Sequence, residues 1–202
     1  MQEGIKNIIF DLGGVIVDLE IERVREAFEE IGMPRMAAMM DPCYPAEINE
    51  RMERGELSWE EACDEMRRLD NRPEVTNEQI AWVYAEFLAR VDTTKIERLE
   101  ALRREGYRLY VLSNTNRVAY GVVCDHFRAA GRDLEACFDD IFLSYRLGLL
   151  KPSAAIFEEV IRRSGIRPEE TLFIDDGARN AATAAALGFH TYCPPTNGAW
   201  EF

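Results

Sequence analysis

Short apolar runs recur along the chain, each closed by turn residues and followed by residues at helical spacing. They are Ile8-Ile9-Phe10, Leu109-Tyr110-Val111-Leu112, Ile141-Phe142-Leu143, Leu172-Phe173-Ile174 and, less sharply patterned, His190-Thr191-Tyr192. An unbroken apolar run of this length, bounded by turns, predicts a strand buried on both faces, as strands are in parallel sheets. Between the runs, Ile96, Leu99 and Leu102 mark one helix, and Ile156, Phe157, Val160 and Ile161 mark another. The alternation predicts an α/β fold with a doubly wound parallel sheet and right-handed crossovers.

The stretch from about Glu20 to Arg90 breaks this rhythm. It reads as helical throughout, with Ile21, Val24, Phe28 and Ile31 on one face and Ile80, Val83, Phe87 and Leu88 on another. Ser58 and Glu61 form a capping box behind Leu57, so a helix is expected to begin there and run through Met66. Pro34, Pro42, Pro45 and Pro73 punctuate the segment. The expected organisation is a core from residues 1–19 and 91–202 with residues 20–90 inserted as a small helical cap.

A chain of 202 residues can bury such a core without disulfides or a structural metal. Lys and Arg number 24 against 37 Asp and Glu, a net charge of -13, and no basic run could neutralise a row of phosphates, which argues against nucleic acid as a partner. A protein with this field can hold a small anion only through a metal, backbone amides and a few placed cations. The five cysteines, Cys43, Cys63, Cys124, Cys137 and Cys193, lack metal-ligand spacing and lie mostly among apolar neighbours, which suggests buried free thiols in a reducing cytosol. The N-terminal residues carry no signal-peptide pattern and no apolar run reaches membrane-spanning length, so a cytoplasmic protein without a membrane partner is expected.

Four clusters carry candidate chemistry. Asp11 ends the first strand before Leu12-Gly13-Gly14, at the strand edge where ligands gather in open α/β sheets. The glycines permit a sharp turn whose amides can face an anion, although a turn or capping aspartate fits the same residues equally well. Ser113-Asn114-Thr115-Asn116 follows the second core strand and offers a hydroxyl and amides at the same edge, or a helix cap. Lys151, between Leu150 and Pro152, is a candidate point charge for phosphate. Asp175 and Asp176 end a buried strand, where adjacent carboxylates repel unless a cation or proton intervenes; a hard divalent ion such as Mg2+, also taking Asp11, would resolve this. Alone, each cluster has an ordinary explanation: a turn or cap for the Asp11, Ser113 and Asp175-Asp176 clusters, and a solvated surface side chain for Lys151. All four follow successive strands, which brings them to one edge of one sheet.

With these residues in view, the chain resembles the haloacid dehalogenase-like hydrolase superfamily. The resemblance rests on Ile9-Phe10-Asp11-Leu12-Gly13-Gly14-Val15, Val111-Leu112-Ser113-Asn114, Lys151-Pro152 and Phe173-Ile174-Asp175-Asp176 with Asn180. It extends over almost the whole chain, most closely with the sugar-phosphate phosphatase subgroup, and implies a Rossmann-like core with a small helical cap. It further implies an Mg2+-dependent phosphomonoesterase for a small phosphorylated metabolite, with Asp11 as nucleophile and an aspartyl-phosphate intermediate. Mg2+ would be held by Asp11, Asp176 and the backbone carbonyl of Gly13, with Asp175 contacting the ion directly or orienting a water on it. Leu12, Gly13, Ser113, Asn114 and Lys151 would bind the phosphoryl group, with Ser113 and Lys151 assisting the transfer.

Phosphatases of this family normally carry a second aspartate two residues after the nucleophile as general acid and base; here that position is Gly13, as in some members of the similar subgroup. Asp18 is a candidate surrogate, although an N-cap for the following helix is the commoner role for such a residue. Two other readings stay open: a halide-displacing dehalogenase, which would have little use for the Asp175-Asp176 pair, and a non-catalytic binding protein that has lost the acid. Trp59, Trp82 and Trp200 read first as packing residues, although Tyr44 or Trp82 could instead line a sugar pocket, and the C-terminal segment around Pro194-Pro195 suggests no role.

Overall fold

The computed structural model describes residues 4–40 and 47–200. The calls on Pro42, Cys43, Tyr44 and Pro45 lie outside the described residues. The main sheet comprises β1 (Asn7–Phe10), β4 (Arg108–Ser113), β5 (Asp140–Leu143), β6 (Thr171–Ile174) and β7 (His190–Tyr192), in the order β5-β4-β1-β6-β7. All neighbouring strands are parallel. Each apolar run named above therefore forms a strand.

The alternation within the runs sorts the core into two layers. Ile8, Phe10, Leu109, Val111, Leu172 and Ile174 face one way and pack with Leu99 and Leu102 of α6 (Thr93–Arg104) and Phe127 of α7 (Arg117–Ala129). Ile9, Tyr110, Leu112 and Phe173 face the other way, against Ile156, Phe157 and Val160 of α9 (Ala154–Ser164) and Ala184 of α10 (Ala178–Ala186). Covering both faces explains why these strands are continuously apolar. Phe157 meets Phe173 edge-on at 5.2 Å, which seats α9 on the sheet.

Strand β1 lies at the centre, and the chain leaves it for β4 on one side and later returns to β6 on the other, so the topological switch point falls at the end of β1. Phe10 is in register with Val111 and Ile174, which puts Asp11 and Asp175 one residue beyond the sheet on adjacent strands. The Asp11 amide donates to the Ile174 carbonyl at 2.9 Å and closes that edge.

The segment between β1 and α6 is helical only in its middle. Helices α1 (Ile21–Glu30), α2 (Pro34–Met39), α3 (Glu47–Glu53), α4 (Trp59–Asp70) and α5 (Asn77–Phe87) stand on an antiparallel ribbon of β2 (Val17–Leu19) and β3 (Leu88–Val91). The expected unbroken helical character is thus corrected at Leu88–Arg90, because chain leaving the helices pairs with chain going in, and strands this short carry almost no periodicity of their own. The Ser58–Glu61 capping box is present, but α4 extends past Met66 to Asp70, where Asn71 at φ 54° stops it. A second box, Thr76 with Gln79, starts α5.

Two further expectations change. Asp18 is not the cap of α1; Glu20 holds that position, and Asp18 pairs across the ribbon with Arg90 at 3.3 Å and with buried Lys95 at 3.2 Å. Of the cysteines described, Cys63 and Cys137 are buried, whereas Cys124 is half-buried and Cys193 exposed. The C-terminal stretch is also stitched into the fold. The Trp200 indole donates to the Val15 carbonyl at 3.2 Å and stacks on Phe10 at 4.9 Å, and the Asn197 amide donates to the Gly14 carbonyl at 2.7 Å. Among the described residues, no helix is long and apolar enough to cross a membrane.

Candidate active site

The loop after β1 is shaped by two glycines. Gly14 has φ +72°, and a Cβ there would lie 2.4 Å from an Asp176 carboxylate oxygen, so only glycine lets the loop pass this close to Asp176. At Gly13 a Cβ would sit 3.2 Å from the Leu19 side chain, which fills the space a longer residue would need. The Asp11 carboxylate turns back to accept the Leu12 amide at 2.7 Å.

Four of the predicted residues converge here. One carboxylate oxygen from each of Asp11, Asp175 and Asp176 lies within 4.8 Å of the others. The Lys151 ammonium, almost fully buried, sits 3.0 Å from Asp11 and 2.6 Å from Asp175, and donates to the Leu112 carbonyl at 2.9 Å. Its three protons are thereby committed. The backbone of Lys151 is held in turn by the Asn114 side chain, which donates to its carbonyl and accepts its amide, both at 2.9 Å. Asn114 is therefore not a helix cap; Asn116 caps α7, accepting from Val118 and Ala119. Ser113 is buried, and its hydroxyl has only a long 3.5 Å contact with the Asn114 carbonyl, which leaves it available to a ligand.

Asp175 and Asp176 are adjacent in sequence and differently placed. Asp175 is fully buried; beyond Lys151 it accepts the Gly177 amide at 2.8 Å and the Asn180 side chain at 2.9 Å, so its oxygens are occupied by protein donors. Asp176 is partly open to the cavity and accepts the Thr196 hydroxyl at 2.6 Å. Thr196 belongs to the C-terminal segment from which no role was expected, since nothing in its own sequence marks a partner so distant along the chain.

The electrostatics follow from this crowding. Burial is the largest influence on Asp11 and raises its pKa from 3.8 to about 7; Lys151 opposes the rise, while Asp175 and Asp176 add to it. Three carboxylates against one ammonium leave an uncompensated negative charge, which a hard divalent cation would balance. Carboxylate oxygens this closely grouped are the donor set that magnesium prefers, and the loop at Gly14 passes close beside Asp176.

This cluster forms one wall of a cavity of about 330 Å³. Asp11, Gly13, Ser113, Asn114 and Asp176 line the sheet side, and α1, α2, α3 and α5 supply the opposite wall. That second wall is largely apolar, with Leu19, Ile21, Met39 and Phe87, and carries Asn49, Glu53 and Tyr84 as its polar groups. Sequence reasoning did not find these three. Asn49 and Glu53 are four residues apart and share a face of α3, but that spacing is common on any solvated helix. Trp82 takes the packing role rather than the pocket one, with the Arg23 guanidinium over its ring, and Asp18 lies outside the cavity.

A Rossmann-like parallel sheet with an acidic cluster at its switch point, a buried lysine behind it and helices over it defines a class of hydrolase. The chain matches the haloacid dehalogenase-like hydrolase family over residues 5–188, and it belongs to that family. It is 36% identical to D-ribitol-5-phosphate phosphatase of Bacteroides thetaiotaomicron, covering 98% of this chain and 95% of that protein. It also superposes with TM-score 0.92 and 34% identity on a crystal structure of a family enzyme from Bacteroides thetaiotaomicron, an Asp-to-Ala mutant in complex with magnesium and inorganic phosphate, covering 97% of this chain and 96% of that one. An L-2-haloacid dehalogenase from Xanthobacter autotrophicus, with chloropropionic acid covalently bound, shares the fold at TM-score 0.63 and 17% identity, covering 94% of this chain and 77% of that one.

Proposed function

We propose that this chain is a magnesium-dependent phosphomonoesterase that acts on a small sugar or polyol phosphate through an aspartyl-phosphate on Asp11. The observation that carries this reading is the meeting of Asp11, Asp175, Asp176 and Lys151 at the switch point, with Asp11 and Asp176 lining a cavity of metabolite size. The D-ribitol-5-phosphate phosphatase and the magnesium and phosphate complex among its similar proteins support it.

Asp11, Asp176 and the Gly13 carbonyl would hold magnesium, which when bound neutralises charge on the transferring phosphoryl group. The Asp11 carboxylate oxygen that does not accept the Leu12 amide attacks phosphorus. Lys151 keeps that carboxylate oriented and offsets its charge, and it is positioned for this by Asp175, Asn114 and the Leu112 carbonyl. The Ser113 hydroxyl and the Asn114 amide would donate to the phosphoryl oxygens, and Leu12 and Gly13 supply the loop against which the phosphate rests. The organic part of the substrate lies under the helices, where residues 20–90 act as a cap that excludes water. A cytoplasmic setting fits the free thiols.

The test is phosphate release from a panel of sugar, polyol and aryl phosphates, with and without magnesium, for wild type and Asp11→Asn. Magnesium-dependent release abolished by Asp11→Asn is expected; no release from any compound would favour a binding protein built on the same scaffold.

A further inference from the structure

Given the phosphatase reading, on which this rests, we infer that Glu53, at the end of α3, is the catalytic acid and base that position 13 lacks. Three observations place it there.

In-line displacement puts the departing oxygen on the far side of phosphorus from Asp11, facing the helical wall of the cavity. Among the described residues, Glu53 is the carboxylate that lines the cavity from that wall. Gly13 has no side chain to reach the leaving group, and Leu19 fills the space where one would go.

The carboxylate of Glu53 is unpaired: among the described residues it has no hydrogen-bond or ion-pair partner, whereas Asn49 one turn earlier accepts the Tyr84 hydroxyl at 2.7 Å. The other face of α3 is anchored by Ile48 and Met52 in the core. Just beyond Glu53 the turn presses on the main chain at Tyr145, where a Cβ on Gly55 would come within 2.4 Å of the Tyr145 carbonyl. The helix end that presents Glu53 is thereby fixed against the catalytic half of the molecule.

The charge environment suits proton transfer near neutrality. Desolvation is the largest influence on Glu53 and, with Asp11 across the cavity and Glu50 on its own helix, raises its pKa to about 7, against the pull of Lys151; Tyr84 faces it from α5. General acids and bases work best with a pKa near the working pH.

The step balances. As an Asp11 oxygen bonds to phosphorus and the ester P–O bond breaks, the Glu53 carboxyl gives its proton to the departing oxygen, releasing the alcohol. The Glu53 carboxylate then takes a proton from water as that water attacks phosphorus and the P–O bond to Asp11 breaks. Inorganic phosphate leaves, with Glu53 protonated again.

Glu53→Gln and Glu53→Ala would be compared with wild type on 4-nitrophenyl phosphate and on ribitol 5-phosphate, with magnesium present. With the alkyl ester, kcat/KM is expected to fall by roughly a hundred- to ten-thousand-fold, because the alkoxide cannot leave unprotonated. With the aryl ester, whose leaving group needs no proton, the first step should be nearly unchanged. One equivalent of nitrophenolate should be released in a burst, followed by slow turnover and accumulation of phosphorylated Asp11. An equal loss of kcat/KM on both esters, no loss on either, or a wild type that turns over the aryl ester but no alkyl ester would overturn the assignment. Asp11→Asn run alongside separates the two claims: its inactivity with active Glu53 variants sinks only Glu53, and its activity sinks the phosphatase reading itself.

Discussion

Substituting Asn for Asp11 should make the metal-free protein more stable while destroying its activity. The acidic cluster carries three carboxylates against one ammonium, and burial holds Asp11 at a pKa of about 7 where 3.8 is ordinary. A carboxyl whose folded pKa lies above its unfolded value binds its proton more tightly when folded. Its ionisation therefore costs nothing below about pH 4, costs progressively more up to about pH 7, and imposes the full penalty above that. A rise of about 3 pKa units at 1.36 kcal/mol each sets an upper value of about 4 kcal/mol. Relaxation around the site should reduce the realised gain to roughly 2 kcal/mol. The Asn side chain is nearly isosteric with the protonated acid; its one oxygen can accept from Lys151 or from the Leu12 amide, and, like the protonated acid, it then turns a donor towards the other. Urea unfolding of chelator-treated wild type and Asp11→Asn at pH 5 and pH 8 measures the difference. The variant should be more stable at pH 8, with the advantage shrinking at pH 5, and magnesium should stabilise wild type more than the variant. A variant less stable than wild type at pH 8 without metal, or an advantage independent of pH, would refute the account of a charge-frustrated site.

Two further substitutions probe the same cluster. Gly14→Ala forces an L-residue to φ +72° and puts its methyl 2.4 Å from Asp176, so magnesium affinity by calorimetry should drop at least a hundredfold, with about 1–2 kcal/mol lost from the fold. Lys151→Met leaves the buried Asp175 carboxylate and the Leu112 carbonyl without their ammonium, and should destabilise by about 3–5 kcal/mol at neutral pH, read by chemical denaturation. Destabilisation by Lys151→Met below about 1 kcal/mol would show the lysine to be a catalytic charge with no structural part.

The sequence by itself determined the sheet and its working edge. The runs of β1, β4 and β6, buried along nearly their whole length, predicted parallel strands, with the more exposed runs of β5 and β7 at the edges, and the side chains at the ends of β1, β4 and β6 then emerge together where the strand order reverses. Asp11, Ser113, Asp175 and Asp176 were legible for that reason: each is fixed by its neighbours in the chain, and the topology does the rest. The relation of Lys151 to this edge was legible from its apolar flanks, but its three committed protons were not.

What only the tertiary structure decided is everything joined across long stretches of chain. The β2–β3 ribbon, the neutralisation of Asp18 by Lys95, and the pairing of Thr196 with Asp176 connect residues 20 to 77 positions apart in chain number, where no local periodicity registers. The same is true of Glu53. Its place on α3 looks like any solvated acid at helical spacing, and it becomes a candidate for chemistry only when α3 folds over Asp11 and removes water from around it. Periodicity encodes which face of an element is buried, whereas the partner across a cavity depends on how whole elements pack, and that packing is set by the summed contacts of the folded chain.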